Sequence, residues 1–300
     1  MKLLLLGANG QVGWELSRSL MPLGEVVALN RQQCDLSQPE RLPALVRDIS
    51  PAVIINAAGY TAVDQAEGEE QLAMTVNCTA VGVLAEQARA CGALLVHYST
   101  DYVFDGTKEA PYLEEDNPHP VNAYGRSKLA GEIAVRQAGA AYLIFRTSWI
   151  YAARGHNFVR TLLRLAVERD ELLIVADQVG TPNWARNIAD ATVHAVRQAT
   201  AEGVGGSFAA GIYHLTASGT TSWYGFAEAI LDCARRNGLV AAQRLPRLCP
   251  IPTEDYPTSA ARPKNSRLGG YRLKERFGIV LPDWKQGLAL CLEETTSCRR

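Results

Sequence analysis

The chain carries almost no net charge: 30 basic against 31 acidic residues leave −1. So even a balance provides no field of one sign to gather nucleic acid or an anionic bilayer, and neither is expected as a partner. Its seven cysteines (Cys34, Cys78, Cys91, Cys233, Cys249, Cys291 and Cys298) contain no C-x-x-C pair and no Cys/His spacing of a zinc site. An odd number without such spacing reads as small core residues kept reduced, which predicts a cytoplasmic protein. A long hydrophobic run is missing too. The apolar start MKLLLL stops at Gly7, short of a signal-peptide core and far short of a bilayer span. There is no internal repeat and no low-complexity tract. What remains is 300 residues, 47% of them apolar, enough for one large domain or two unequal lobes.

The most regular feature near the start is a glycine period. Leu3, Leu4, Leu5 and Leu6 read as a buried strand, Gly7, Gly10 and Gly13 follow, and an amphipathic segment carries Trp14, Leu16 and Leu20. Glycine permits a tight turn and a close backbone approach, and the helix that follows offers free N–H groups and a positive dipole end. The spacing is G-x-x-G-x-x-G rather than G-x-G-x-x-G; its place between a strand and a helix is what points to a dinucleotide pyrophosphate.

Strand and helix signals then alternate. Strands are predicted at 26–29, 53–56, 94–98 and 142–145, and helices at 39–49, 71–91 and 122–138. This order predicts an α/β fold with a doubly wound parallel sheet of Rossmann type. Gly7, Ala57, Ser99 and Arg146 all fall at strand ends, on the edge where such sheets place ligands. Regularity fades after Tyr151. Helices are expected at 157–167, 184–200 and 223–236, strands at 172–175 and 212–215, and a loop at 201–211. Recurring prolines break up 245–264. The dinucleotide domain is expected to take 1–150 with parts of 170–215, and a smaller substrate lobe to take 151–170 and 216–300.

Tyr124 and Lys128 lie four apart on a predicted helix and share a face. An ammonium there favours phenolate and makes the phenol a proton donor and acceptor near neutral pH. The rival reading is a surface lysine paired with Glu132, one turn on. Ser99 and Thr100 end a predicted strand, and alternation lets only one of them face the site.

These segments together carry a specific resemblance. GANGQVGWEL, NAAGYTAVDQAE, VHYSTDYVFDG, YGRSKLAGE, FRTSWIY, DQVGTP, YHLTASGTTSWYGFA and RPKNSRL span residues 1 to about 268. In that order they resemble the extended short-chain dehydrogenase/reductase family, and within it the enzymes that reduce the 4-keto group of a dTDP-linked deoxysugar for cell-surface polysaccharide. The resemblance implies a catalytic set of Tyr124, Lys128 and Thr100, with Lys128 also on the nicotinamide ribose. It implies that Thr100, Asp101 and Trp149 meet the substrate. Gly7, Gly10, Gln11, Val12 and Gly13 would border the pyrophosphate, Asp35 and Leu36 the adenine, and Gly59, Tyr60 and Thr61 the dinucleotide after the third strand. Tyr98 would pack near the nicotinamide. Arg262 and Arg267 are candidates for the substrate diphosphate, against a solvated basic face. Trp223 and Tyr224 are candidates for the base, against a place in the lobe core.

Two positions bear on the cofactor and on metal. The second strand ends Leu29-Asn30-Arg31, without the acid that would grip a ribose 2′-OH and with a cation instead, so NADPH is expected to serve at least as well as NADH. The family includes members with Mg²⁺ held by acids at a dimer interface. Glu15 fits that picture, but Arg186 stands where a second acid is expected, which argues against a metal bridge and leaves monomer and homodimer both open. Rival functions are a 4-epimerase or dehydratase of the same family, and a non-catalytic regulatory subunit built on the reductase fold.

Overall fold

Leu3, Leu4, Leu5 and Leu6 are all buried. A strand apolar on both faces needs cover on both sides, and it obtains it: Leu3 and Leu5 join one core cluster, Leu4 and Leu6 another. The computed structural model describes residues 1–203, 210–240 and 245–297. Its first part runs β1 (Lys2–Leu6), α1 (Gln11–Ser19), β2 (Glu25–Leu29), α2 (Leu42–Ile49), β3 (Val53–Asn56), α3 (Glu70–Met74), α4 (Ala80–Cys91), β4 (Leu94–Thr100), α5 (Ala123–Ala138) and β5 (Ala141–Thr147). Next come β6 (Ile150–Tyr151), α6 (Phe158–Glu168), β7 (Glu171–Val175), β8 (Val179–Gly180), β9 (Asn183–Trp184), α7 (Ala185–Ala201) and β10 (Gly211–His214). The chain continues through β11 (Thr221–Ser222), α8 (Trp223–Arg236), β12 (Arg247–Ile251), α9 (Tyr271–Phe277) and α10 (Trp284–Ser297).

The main sheet has six strands in the order β10-β5-β4-β3-β1-β2, and every pairing in it is parallel. This is the doubly wound Rossmann-type α/β fold expected from the alternation. Strand order reverses between β1 and β3, which opens a crevice at their C-terminal ends. The cluster on one face includes Leu16 of α1 and Ile188 of α7; the other includes Val46 of α2, Leu84 of α4 and Val135 of α5. Three two-stranded sheets, β7 with β12, β8 with β11 and β6 with β9, stand apart from it. Pro250 sits in β12, which has only β7 as neighbour, so its missing N–H interrupts no central ladder.

The helix expected over 71–91 is interrupted by a π turn at Thr75–Thr79. The extra residue of such a turn sets Asn77 against Tyr60, whose N–H donates to Asn77 Oδ1 (2.9 Å) while Asn77 Nδ2 donates back to the Tyr60 carbonyl (3.0 Å). Part of the loop expected at 201–211 lies outside the described residues. Helices α9 and α10 lie where the sequence showed only a basic cluster and no clear period.

Candidate functional site

The glycine turn joins β1 to α1 by backbone contact alone. Gly7 has φ +84°, and a Cβ there would lie 2.7 Å from the Ala58 nitrogen; a Cβ on Gly13 would lie 2.1 Å from the Gly7 carbonyl oxygen. Neither position admits a side chain, so α1 seats directly on the turn. Gly10 caps α1 without any side-chain hydrogen bond, and the first turn of the helix holds no acid. The dipole end is therefore presented by backbone, next to Gln11 and a buried Val12. Around the same edge, Gly59 and Thr61 are exposed and Tyr60 is half-buried. Asn30 Oδ1 accepts from the Gln32 N–H (2.9 Å), shaping the turn after β2. Arg31 is exposed and reaches Asp35 at 3.7 Å. The Ser37 N–H donates to Asp35 and holds its carboxyl below the usual carboxylate range. Leu36 is buried in the core beneath. A turn closed to side chains, an uncapped helix end and a cation after β2 suit a phosphorylated dinucleotide.

β4 and α5 bring the predicted catalytic residues together. Thr100 ends β4, and its hydroxyl donates to Asp101 Oδ1 (2.9 Å) and accepts from the Tyr102 N–H (3.2 Å). The Tyr124 phenol lies near that same hydroxyl, which acts to lower its pKa. Asn122 starts α5, its Oδ1 accepting from the Gly125 N–H (2.8 Å), so Tyr124 lies in the first turn and Lys128 one turn on. Of the neighbouring pair it is Thr100 that meets the phenol, while the buried Ser99 Oγ has no partner among the described residues. Asp101 is buried, and burial pushes its carboxyl up to about 6.

One expectation is corrected here. The ammonium was expected to favour phenolate, but burial dominates and pushes the Tyr124 phenol up to about 12, with the nearby Thr100 hydroxyl acting the other way. Lys128 is turned elsewhere: Nζ donates to the Tyr98 carbonyl at 2.5 Å and lies 3.3 Å from His97 Nε2. It is no surface lysine either, being 5% exposed. Its rival partner Glu132 is taken by Arg146 through two hydrogen bonds of 2.9 and 2.7 Å. Tyr98 gives the site its carbonyl; its ring packs near Phe145, and its hydroxyl meets Thr192 of α7 at 2.7 Å.

On the lobe side, Trp149 has φ +43°, a conformation costly for a bulky residue. Its indole stacks on Trp223 at 3.7 Å and 12°, so Trp223 spends one ring face inside the protein. A Cβ on Gly180 would lie 2.6 Å from the Trp149 ring, so β8 must pass it as glycine. Tyr224 is half-buried. Arg262 pairs with Asp64 (2.7 Å), and Arg267 donates to Asn265 Oδ1 (2.8 Å) and to the Glu109 carbonyl. Both candidate diphosphate arginines thus have protein partners.

Glu15, the possible metal ligand, is held by cations. Its carboxylate is buried and accepts from Arg18 (2.6 Å) and Arg186 (3.1 Å), and Arg186 also pairs with Glu294. Both guanidinium groups bond the same oxygen, Oε2, and place two cations where a Mg²⁺ would approach this carboxylate, which weighs against Glu15 as a metal ligand.

Sequence reasoning passed over His97, Asn56 and the Arg146–Glu132 pair. The available signal was a histidine inside the otherwise apolar start of β4, LLVHYST. It also passed over Asn157, whose Nδ2 donates to Gln11 Oε1 (2.8 Å) and ties the loop before α6 to the N-terminus of α1.

Comparison with known proteins agrees with this geometry. The family model described as RmlD substrate binding domain matches residues 1–297. A dTDP-4-dehydrorhamnose reductase of Burkholderia thailandensis is 56% identical over 297 residues, covering 99% of this chain and 100% of the relative. Among solved structures, a dTDP-4-dehydrorhamnose reductase of Clostridium acetobutylicum superposes with TM-score 0.89 at 35% identity, covering 98% of this chain and 99% of the other. A second, from Bacillus anthracis in complex with NADP, superposes with TM-score 0.88 at 34% identity over 98% and 99% of the two chains. The chain belongs to the RmlD substrate binding domain family of extended short-chain dehydrogenases/reductases, the family of the dTDP-4-dehydrorhamnose reductases.

Proposed function

We propose that this chain reduces the C4 ketone of dTDP-4-dehydro-L-rhamnose to the alcohol of dTDP-L-rhamnose, with NADPH as the favoured donor. One observation carries the reading: Thr100 at the end of β4 and Tyr124 in the first turn of α5 stand near each other at the C-terminal edge of the sheet, with Lys128 buried one turn away. When bound, the reduced nicotinamide supplies a hydride to C4. Thr100 holds the ketone oxygen, and Tyr124 gives that oxygen its phenolic proton. Reduction needs the phenol rather than the phenolate, and burial keeps it protonated at neutral pH. Lys128 holds the nicotinamide ribose hydroxyls.

Asp101 and Trp149 contact the sugar nucleotide on this reading. The lobe of 151–170 and 216–300 closes over it, and 1–150 with parts of 170–215 carries the dinucleotide. Gly7, Gly10, Gln11, Val12 and Gly13 take the pyrophosphate, and Gly59, Tyr60 and Thr61 line the dinucleotide after β3. Asp35 and Leu36 flank the adenine, and Asn30 and Arg31 face the adenosine 2′-phosphate. The preference for NADPH is supported by that cation and by the missing acid after β2, and by the NADP in the Bacillus anthracis structure. No helix among the described residues is long and apolar enough to cross a membrane; a cytoplasmic enzyme, monomeric or homodimeric without a metal bridge, is consistent with that and with the paired Glu15.

The test is spectrophotometric: NADPH is consumed only when the 4-keto sugar nucleotide is present, and the alcohol forms in equal amount. No consumption by a folded chain that binds NADPH would favour the regulatory-subunit reading. NAD⁺ retained through purification and recycled in turnover would favour an epimerase.

A further inference from the structure

Among the described residues, only Ser50 and Trp149 are non-glycines with positive φ. Ser50 closes α2, where a left-handed residue is routine. Trp149 closes no helix. It stands between β5 and β6, and a bulky residue keeps that conformation only where its surroundings impose it. Here they do. On the near side the Ser148 hydroxyl donates to the Thr181 carbonyl (3.0 Å), and the Ser148 carbonyl accepts from Asn183 Nδ2 (2.8 Å). On the far side the Trp149 carbonyl accepts from the Asn183 N–H (3.1 Å). Asn183 is itself fixed: it is fully buried, its Nδ2 also reaches the Thr181 carbonyl (2.9 Å), and its Oδ1 accepts from the Ala217 N–H (2.6 Å).

The ribbon of β8 and β11 holds the side chain in the same way. Thr221 pairs with Gly180 and Ser222 with Val179, so the strand that carries Gly180 is bonded to the strand that leads into Trp223. Trp223 covers one face of the Trp149 indole at 3.7 Å, and its own ring lies 4.8 Å from Phe158. No backbone fits between rings that close. Gly180 therefore approaches from the side that Trp223 leaves uncovered, where a Cβ would lie 2.6 Å from Cε2 and 2.8 Å from Cζ2. We propose that Trp223 and Gly180 are positioning residues for Trp149: the ribbon holds the indole from two sides, before any ligand arrives, in the place where it meets the sugar nucleotide. The proposal rests on the reading of Trp149 as a substrate contact. Trp223 then acts on the sugar nucleotide through Trp149, not by stacking on the base. The indole is ordered during folding, so binding does not have to bear the cost of ordering it.

The experiment is a double-mutant cycle read on the sugar nucleotide. Trp223→Leu is expected to raise KM for dTDP-4-dehydro-L-rhamnose about tenfold, the scale of ordering one large side chain at binding, while the Kd of NADPH stays put. Trp223→Phe keeps a flat ring for the stack and should recover most of the loss. Gly180→Ala should raise KM as well, because its methyl displaces the indole. In a Trp149→Ala background neither Trp223→Leu nor Gly180→Ala should cost anything more, since the ring they position is gone. An unmoved KM in folded Trp223→Leu, or losses that multiply with that of Trp149→Ala, would overturn the proposal; the second result would mean that Trp223 touches the ligand itself. A measurement on the unaltered full-length chain decides if the variants do not fold. Nuclear Overhauser contacts between the Trp149 and Trp223 rings, with only tryptophan protonated, are expected in the free chain and again when it is saturated with dTDP-L-rhamnose. Contacts absent from the free chain, or lost on saturation, overturn the proposal. A KM that Trp149→Ala leaves unchanged would sink the substrate reading beneath it while the ring contacts persist, so the two failures are distinguishable.

Discussion

Arg146 and Lys128 are both cations buried in the interior, both close to Glu132, and they are treated in opposite ways. Arg146 receives both carboxylate oxygens of Glu132 in a two-pronged pair and lies 5.0 Å from the Phe104 ring. Lys128 stands four residues before Glu132 on the same helix, the spacing at which lysine and glutamate ordinarily pair. It has a carbonyl and an imidazole instead, and among the described residues it makes no ion pair. A buried cation with a matched carboxylate fastens β5 to α5. A buried cation without one is costly, and such groups collect where chemistry is done.

Four experiments sharpen that contrast. The largest effect is expected on the fastening side. Glu132→Ala leaves Arg146 buried without its partner and should cost about 3–5 kcal/mol of folding stability, read as a lower urea midpoint. Lys128→Met should do the reverse to the fold and damage the chemistry. Stability holds or rises because an unpaired buried charge is removed, while kcat/KM falls about 10²-fold, the scale of a misplaced reactant once the ribose hydroxyls lose their holder.

The pH dependence of folding belongs to the same comparison. Lys128 is lowered from 10.5 to about 8 in the folded chain, so between those values the unfolded chain holds a proton that the folded chain has released. Stability from this group therefore rises with pH across that window, and Lys128→Met should lose that rise. The smallest effect belongs to an exposed cation: Arg31→Ala should lower the NADPH-over-NADH ratio of kcat/KM by up to about fivefold, the scale of a surface charge.

The parts of the molecule readable in advance are those written locally. Four adjacent leucines demanded a strand covered on both sides, and the glycine period placed the turn after it. Tyr124 and Lys128 were legible as one face because four residues make about one helical turn, whereas Thr100 was told from Ser99 only by the family resemblance. What escaped was settled by residues far apart in the chain. Glu132 leaves its neighbour Lys128 for Arg146, and Trp223 stacks on Trp149. Asn77 reaches Tyr60 from a π turn that no apolar period marks. Glu15 meets Arg186 across α1 and α7, which sets a cation on its Oε2. The phenol was misjudged for a related reason: a lysine four residues away says nothing about which way its amine turns, or that burial outweighs it.

The central claim is that Tyr124 hands its proton to the ketone held by Thr100. Single-turnover reduction of dTDP-4-dehydro-L-rhamnose by the Tyr124→Phe chain, saturated with NADPH, tests it most directly. The account predicts a rate lower by about 10²–10⁴-fold with dinucleotide affinity unchanged. A rate within a few-fold of the unaltered chain would contradict it.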